Sequence, residues 1–371
     1  MEHLVKDGLK LGFGMMRLPR NDGKIDIEKT KEMVDAFMAA GGKYFDTAYI
    51  YEGSEEAVGK ALCARYPRDS YYLATKVNAG DFCCKSEEEA KSEIKGSLER
   101  TGAGYIDFYL LHGIEASSID NYNNYGLWDY VKKLKEEGLI KHYGFSFHDS
   151  PEMLDKVLTD HPDVEFVQLQ INYADMEDAS VQSRKIYETA VKHEKPIIVM
   201  EPVKGGLLAD TPKEITDMFK EADPDASPAS WAMRFAASLP GVDVVLSGMS
   251  TIDQVNDNIS YMKDFKPLTE EETKLVEKAR LVYENMDRVP CTSCKYCMPG
   301  CPMEIHIPEM FSVLNLYKTF GNLEKAKFEY KVRPLGPRAS ECVECGQCEN
   351  ACPQHLPIIT LLKEIVDTIE N

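Results

Sequence analysis

Between residues 8 and 260, short runs rich in apolar and β-branched residues alternate with longer runs whose apolar positions recur every three or four residues. The short runs predict eight strands: Leu9–Leu18, Lys43–Thr47, Tyr71–Lys76, Ile106–His112, Lys141–Ser146, Phe166–Asn172, Pro196–Glu201 and Val242–Gly248. The longer runs predict helices between them. From Ile27 to Ala40, the residues Ile27, Met33, Val34, Phe37 and Met38 fall near one face, and Gly41-Gly42 ends the helix. Ser54 starts another helix. Ser86 starts a third, with Glu87-Glu88-Glu89 in the first turn, where carboxylates meet the positive end of the helix dipole. Ser150-Pro151-Glu152 opens a fourth.

Strands that alternate with helices predict a parallel sheet covered by helices. Eight such units closing on themselves make a (β/α)8 (TIM-type) barrel of about 250 residues, which fits this span. A doubly wound sheet is the alternative, but no G-x-G-x-x-G follows an early strand. Residues 253–286 read as helical and complete the outer layer. The region of Pro290 then marks a boundary. The expected organisation is an α/β barrel over residues 1–286 and a smaller module over 287–371.

The smaller module carries the sharpest chemical signal. Cys291-x2-Cys294-x2-Cys297-x3-Cys301-Pro302 is repeated, 51 residues later, as Cys342-x2-Cys345-x2-Cys348-x3-Cys352-Pro353. Soft thiolates at this spacing, with a trailing proline, are the signature of two-cluster ferredoxins, in which the fourth cysteine of each run serves the other cluster. The spacing assigns Cys291, Cys294, Cys297 and Cys352 to one [4Fe–4S] cluster, and Cys342, Cys345, Cys348 and Cys301 to the second. Structural zinc prefers two separated pairs and explains the repeat poorly. The 40 residues between Cys301 and Cys342 exceed the linker of a compact ferredoxin. Pro308–Tyr330 and residues 356–369 read as helices, so a helix-rich ferredoxin-like module is expected. Cys63, Cys83 and Cys84 read as ordinary thiols.

Composition narrows the classes further. Of 371 residues, 43 are Lys or Arg and 62 are Asp or Glu, a formal charge of −19. Such a chain repels nucleic acid and anionic lipid, which need clustered cations. The acidity serves solubility, or a docking surface for a basic redox partner protein. No apolar run approaches the ~18 residues of a membrane span. The first residues lack a signal-peptide core, so a cytoplasmic location is expected.

Barrel sites form at the C-terminal ends of the strands. There the sequence gathers Asp46 and Tyr51 after the second strand, Lys76 at the end of the third and His112 at the end of the fourth. At these residues the chain resembles the aldo-keto reductase superfamily. The matching stretches are Gly12–Leu18, Phe45-Asp46-Thr47-Ala48 with Tyr51, Glu55 and Gly59, Thr75-Lys76, Asp107–His112, Gly138–Ser146, Val167–Asn172 and Ser247–Thr251. The whole chain resembles the subgroup that appends a ferredoxin-like domain to the reductase barrel.

The resemblance implies roles. Tyr51 is the general acid that protonates a carbonyl oxygen as hydride arrives. Lys76 favours its phenolate and lowers a phenol pKa that is ordinarily near 10. Asp46 fixes Lys76, and His112 orients the carbonyl. A His at this place, rather than a Glu, goes with carbonyl reduction or alcohol oxidation, and so with a small carbonyl or alcohol substrate. NAD(P)H lies across the strand ends. Ser146 and Gln168 hold its carboxamide, with the register between Gln168 and Gln170 left open. Met200 sits where the family often stacks an aromatic, Gly205 and Leu207 belong to a loop over the pyrophosphate, and Gln254 and Asn258 serve the adenine end. Gly248 and Gln254 replace the cations of NADPH-preferring members, so NADH carries equal weight. Phe147 stands where many members have Asn. Met16, Tyr49 and Trp128 are expected near the substrate.

Three functions remain open on the sequence: a carbonyl reductase whose clusters are structural, an enzyme passing electrons from nicotinamide to an external ferredoxin or flavoprotein, and a non-enzymatic redox sensor. The second needs a converter from electron pairs to single electrons, such as a flavin; no flavin motif is present.

Overall fold

A computed structural model of the chain describes residues 3–80, 83–178, 181–291, 295, 297–333, 336–352 and 354–371. Two compact units emerge: Met1–Ala209 with Asp225–Val276, and Asp210–Pro224 with Glu277–Asn371.

The first unit is built on a closed barrel of eight parallel strands. They are β1 Leu11–Gly14, β2 Tyr44–Asp46, β3 Tyr72–Val77, β4 Ile106–Ile114, β5 Ile140–Phe147, β6 Phe166–Gln170, β7 Ile197–Met200 and β8 Val242–Ser247. Each pairs with its neighbour in sequence, and β8 pairs back with β1. All eight strand expectations have a counterpart. The first is shorter than the run Leu9–Leu18, because the chain leaves the sheet at Met15–Arg17 in one 3-10 turn. A small antiparallel hairpin, Arg20–Asn21 with Lys24–Ile25, follows it.

Aromatic side chains fill the barrel interior. The Phe108 ring packs 5.1 Å from Tyr44 and meets Phe166 edge-on at 5.3 Å. Such volume needs small neighbours. A Cβ on Gly144 would stand 2.4 Å from the Phe166 carbonyl oxygen, and one on Gly12 would stand 2.6 Å from a Leu246 methyl. Outside the strands lies the larger core. The helix Ile27–Ala39, capped by the Asp26 carboxylate on the Lys29 amide, buries Met33, Val34 and Phe37, the face its periodicity predicted. Ser86 and Ser150 cap the helices Glu87–Thr101 and Pro151–Asp160 through their hydroxyls. Ser54 heads the short helix Ser54–Val58, but its hydroxyl is used elsewhere, donating to the Met15 carbonyl and meeting Thr47.

The second unit is helical. The stretch Pro308–Tyr330, expected as one helix, is two: Ile307–Phe320 and Leu323–Val332. Gly321 breaks it at φ 65°, a left-handed geometry that glycine adopts without a Cβ clash. The stretch 253–286 likewise divides, into Ile252–Met262 and Glu270–Glu284. Among the described residues no helix is long and apolar enough to cross a membrane.

Candidate functional site

The C-terminal ends of β2, β3 and β4 bring three of the predicted residues together, and the loop after β2 adds the fourth. Asp46 is the last residue of β2, and Lys76 lies near the end of β3. The Lys76 ammonium is fully buried and donates to Asp46 Oδ1 at 2.7 Å and to the Thr47 carbonyl at 2.6 Å. It also lies 5.2 Å from the centre of the Tyr51 ring. That ring stands edge-on to His112, their centroids 5.7 Å apart.

Burial sets the charge states. Burial pushes the Asp46 carboxyl up, and Lys76 only partly pulls it back, so it sits above its ordinary value. Burial works against the Lys76 charge, yet Asp46 and Tyr51 outweigh it and hold the ammonium above its ordinary range. Burial and the Lys76 charge drive His112 well below its ordinary value, so its imidazole is neutral. Tyr51 departs from the sequence expectation. Lys76 does lower its pKa, but burial, with Asp46 and Glu201, wins, and the phenol sits above its ordinary value. Its proton is therefore in place at neutral pH.

A second layer supports this group. Glu55 is buried, accepts the Thr75 hydroxyl at 2.6 Å and takes Arg100 Nε at 2.8 Å. Gly59 lets the neighbouring helix approach, since a Cβ there would stand 2.6 Å from the Arg100 carbonyl oxygen. Arg100 had no place in the sequence reading, because its partner lies 45 residues away.

Three buried polar atoms around the mouth have no hydrogen-bond partner among the described residues: Asp46 Oδ2, His112 Nδ1 and Gln168 Oε1. Buried polar groups are seldom left so without a ligand or water to meet them. Gln168 and Ser146 are direct partners in the β5–β6 ladder, so their side chains share a face. Ser146 Oγ accepts the Gly113 amide at 2.8 Å, which leaves its hydroxyl proton to donate. One acceptor on Gln168 and one donor on Ser146 match the two ends of a carboxamide. The fit to a nicotinamide is therefore good. Gln170 is committed elsewhere, donating to Asp175 at 3.1 Å, within a group that includes Asn172 and Lys204. This separates the two glutamines.

Met200 ends β7, and its sulfur takes the Gln168 amide at 3.7 Å. Gly205 lies in the turn after β7, with Leu207 capping that turn, and Gly248 follows β8. Gln254 Oε1 accepts the Ser250 amide at 2.7 Å. Asn258 is buried and bonded to Ser247 and Tyr261. Phe147 packs against Phe145. Trp128 is stacked on His161 at 3.8 Å, inside the helix layer. Tyr49 packs on the Arg100 guanidinium at 4.3 Å. Met16 is 56% exposed.

In the second unit the cysteines gather around two cavities. Cys301, Cys342, Cys345 and Cys348 line one. Cys291, Cys297 and Cys352 line the other. The fourth cysteine of each run thus stands with members of the other run. Cys294 and Pro353 lie outside the described residues. The remaining walls are mostly apolar, and Ile307 borders both cavities. Four thiols around one apolar cavity suit the donor set of an iron–sulfur cluster.

Residues 10–280 match the aldo/keto reductase family, and residues 290–356 match the 4Fe-4S dicluster domain. The first match spans most of the chain, and the chain belongs to the aldo/keto reductase family. It is an NAD(P)-dependent oxidoreductase by that membership, and its dicluster domain indicates two [4Fe–4S] clusters. Among curated proteins it is 27% identical to an uncharacterized oxidoreductase, YqkF, of Bacillus subtilis, over 72% of this chain and 91% of that protein. It is also 27% identical to L-galactose dehydrogenase of Arabidopsis thaliana, over 74% and 91%. Among solved structures it resembles the holo form of aldo-keto reductase AKR11C1 from Bacillus halodurans, at 27% identity and a TM-score of 0.61, covering 75% and 95%.

Proposed function

We propose that the chain interconverts a small carbonyl compound and its alcohol, with residues 1–286 performing the reaction and residues 287–371 holding the two clusters. The observation that carries this is the buried Lys76–Asp46 pair beneath Tyr51, beside a neutral His112. Ser146 and Gln168 would hold the carboxamide of a reduced nicotinamide, which would supply the hydride for the carbonyl carbon. The Tyr51 hydroxyl gives its proton to the carbonyl oxygen, and the Lys76 ammonium stabilises the phenolate left behind. Asp46 holds Lys76 in place. His112, neutral, donates a hydrogen bond to the same oxygen and fixes the direction of attack. The relative named L-galactose dehydrogenase supports the alcohol–carbonyl class. Turnover of a panel of aldehydes and ketones with NADH and NADPH tests the reading; no turnover of any of them would count against it.

Cys291, Cys294, Cys297 and Cys352 hold one cluster in this reading, and Cys301, Cys342, Cys345 and Cys348 the other. Replacing Cys301 by Ser is expected to remove roughly half of the iron and the same paramagnetic signal that Cys342→Ser removes. Cys352→Ser should instead match Cys297→Ser. A Cys301 variant that matched Cys297→Ser would refute the crossed assignment.

A second reading has its own observation. Cys345 is exposed, and Val343 beside it is 57% exposed. A cluster there lies within reach of a partner that exchanges single electrons. In this reading the protein works in the cytoplasm as a link between nicotinamide and a redox protein. A reduced-cluster signal raised by NADH or NADPH would favour it, and a signal raised by dithionite alone would favour the first.

A further inference from the structure

The family resemblance names a loop over the diphosphate, Gly205 and Leu207, but no cation to meet its charge. The mouth of the barrel supplies one from an unexpected place. Arg17 ends the 3-10 turn that follows β1. Its backbone is fixed by the Ser250 hydroxyl, which donates to the Arg17 carbonyl at 2.6 Å. Its side chain then crosses the strand ends. The stem lies over Gly248, where a built Cβ would meet Arg17 Cδ at 3.5 Å and Cγ at 3.8 Å. The tip reaches the turn after β7, with Nη2 3.9 Å from the place of a Cβ on Gly205. Arg17 is exposed. Among the described residues its guanidinium makes no hydrogen bond and no ion pair. Lys204, in the same turn, is paired with Asp175.

We propose that Arg17 forms an anion site across the ends of β7 and β8, and that this site takes the diphosphate bridge of the dinucleotide. The proposal rests on the cofactor reading above. A guanidinium presents a planar fork of donors that meets two phosphate oxygens at once. Gly205 and Gly206 have φ of 63° and 94°, a backbone shape that keeps the turn free of side chains beneath the fork. Glu201 shares the neighbourhood, with Oε2 3.6 Å from the same point beside Gly205. Arg17 therefore also offsets a carboxylate that would otherwise repel the diphosphate. Because the bridge is common to both cofactors, the site serves NADH and NADPH alike. It is not a device for choosing the 2′-phosphate.

The test is direct titration of the full-length protein with NADH and NADPH, followed by nicotinamide fluorescence. Arg17→Ala is expected to raise both dissociation constants by about tenfold or more, the usual weight of a charge-assisted hydrogen bond. It should also flatten the dependence of binding on salt. Arg17→Lys, which keeps the charge and loses the fork, should fall between. An unchanged thermal transition shows that the exposed substitution leaves the fold intact. Equal binding by wild type and Arg17→Ala would overturn the proposal. So would a loss confined to NADPH, which would put the guanidinium on the 2′-phosphate instead. If the wild type binds neither cofactor, the cofactor reading itself falls, and the site with it.

Discussion

Tyr51→Phe is expected to lower kcat for carbonyl reduction by about 10²–10⁴-fold, the usual contribution of a positioned general acid, while nicotinamide binding is retained. The substitution removes one oxygen and leaves the ring that packs against His112. Neither His112 nor Lys76 replaces the proton. His112 is neutral, and Lys76 is buried and bound to Asp46 and Thr47. Because burial holds the Tyr51 phenol above its ordinary pKa, the wild type keeps its donor throughout the neutral range. The reduction rate should show no loss there from Tyr51 ionisation. Steady-state kinetics with a fluorescence titration separates the two effects. Turnover within a few-fold of wild type would remove Tyr51 from its role, and loss of binding would make it a structural residue.

Lys76→Met carries the second large effect, on stability as well as rate. It leaves the Asp46 carboxylate buried without its counter-charge, a situation that costs about 3–5 kcal/mol. Asp46 Oδ2 has no partner among the described residues even in the wild type, so little is left to compensate. The sign with pH follows from the raised Lys76 value. The Lys76 share is present at neutral pH and is lost as pH rises beyond the ordinary lysine value of 10.5, while Asp46, raised by burial, works against it once its carboxyl ionises. The double variant Lys76→Met, Asp46→Leu removes both charges and should regain much of the stability, while turnover stays lost. Denaturant unfolding of the two variants checks this. A double variant as unstable as the single would show that packing, not the unpaired charge, sets the cost.

The barrel was legible because each strand announces itself as a short β-branched or aromatic run between capped helices. Its errors have local causes. Leu9–Leu18 reads as one apolar run, yet only Leu11–Gly14 pairs with neighbours. Pro308–Tyr330 keeps a helical rhythm through Gly321, and the rhythm does not report that glycine's left-handed φ. The tetrad was legible because it is short-range in motif and each member lies near or just after the C-terminal end of a strand. Pairings between distant segments were not. The period of a strand puts Gln168 and Gln170 on one side, and only the Asp175 hydrogen bond tells them apart. Trp128 looked available until His161, 33 positions on, closed over it. Arg17 lay inside a matching stretch, but its meaning depends on Gly205 and Gly248, far away in sequence.

The central claim is that hydride passes directly from nicotinamide to a carbonyl carbon at Tyr51, without the clusters as intermediaries. Reduction of an aldehyde with NADH or NADPH deuterated at the transferred position, in ordinary water, tests it most directly. The account predicts one deuterium on the alcohol carbon, undiluted by solvent hydrogen. An alcohol carbon carrying hydrogen from water would mean that the electrons had travelled separately from the proton, and would contradict it.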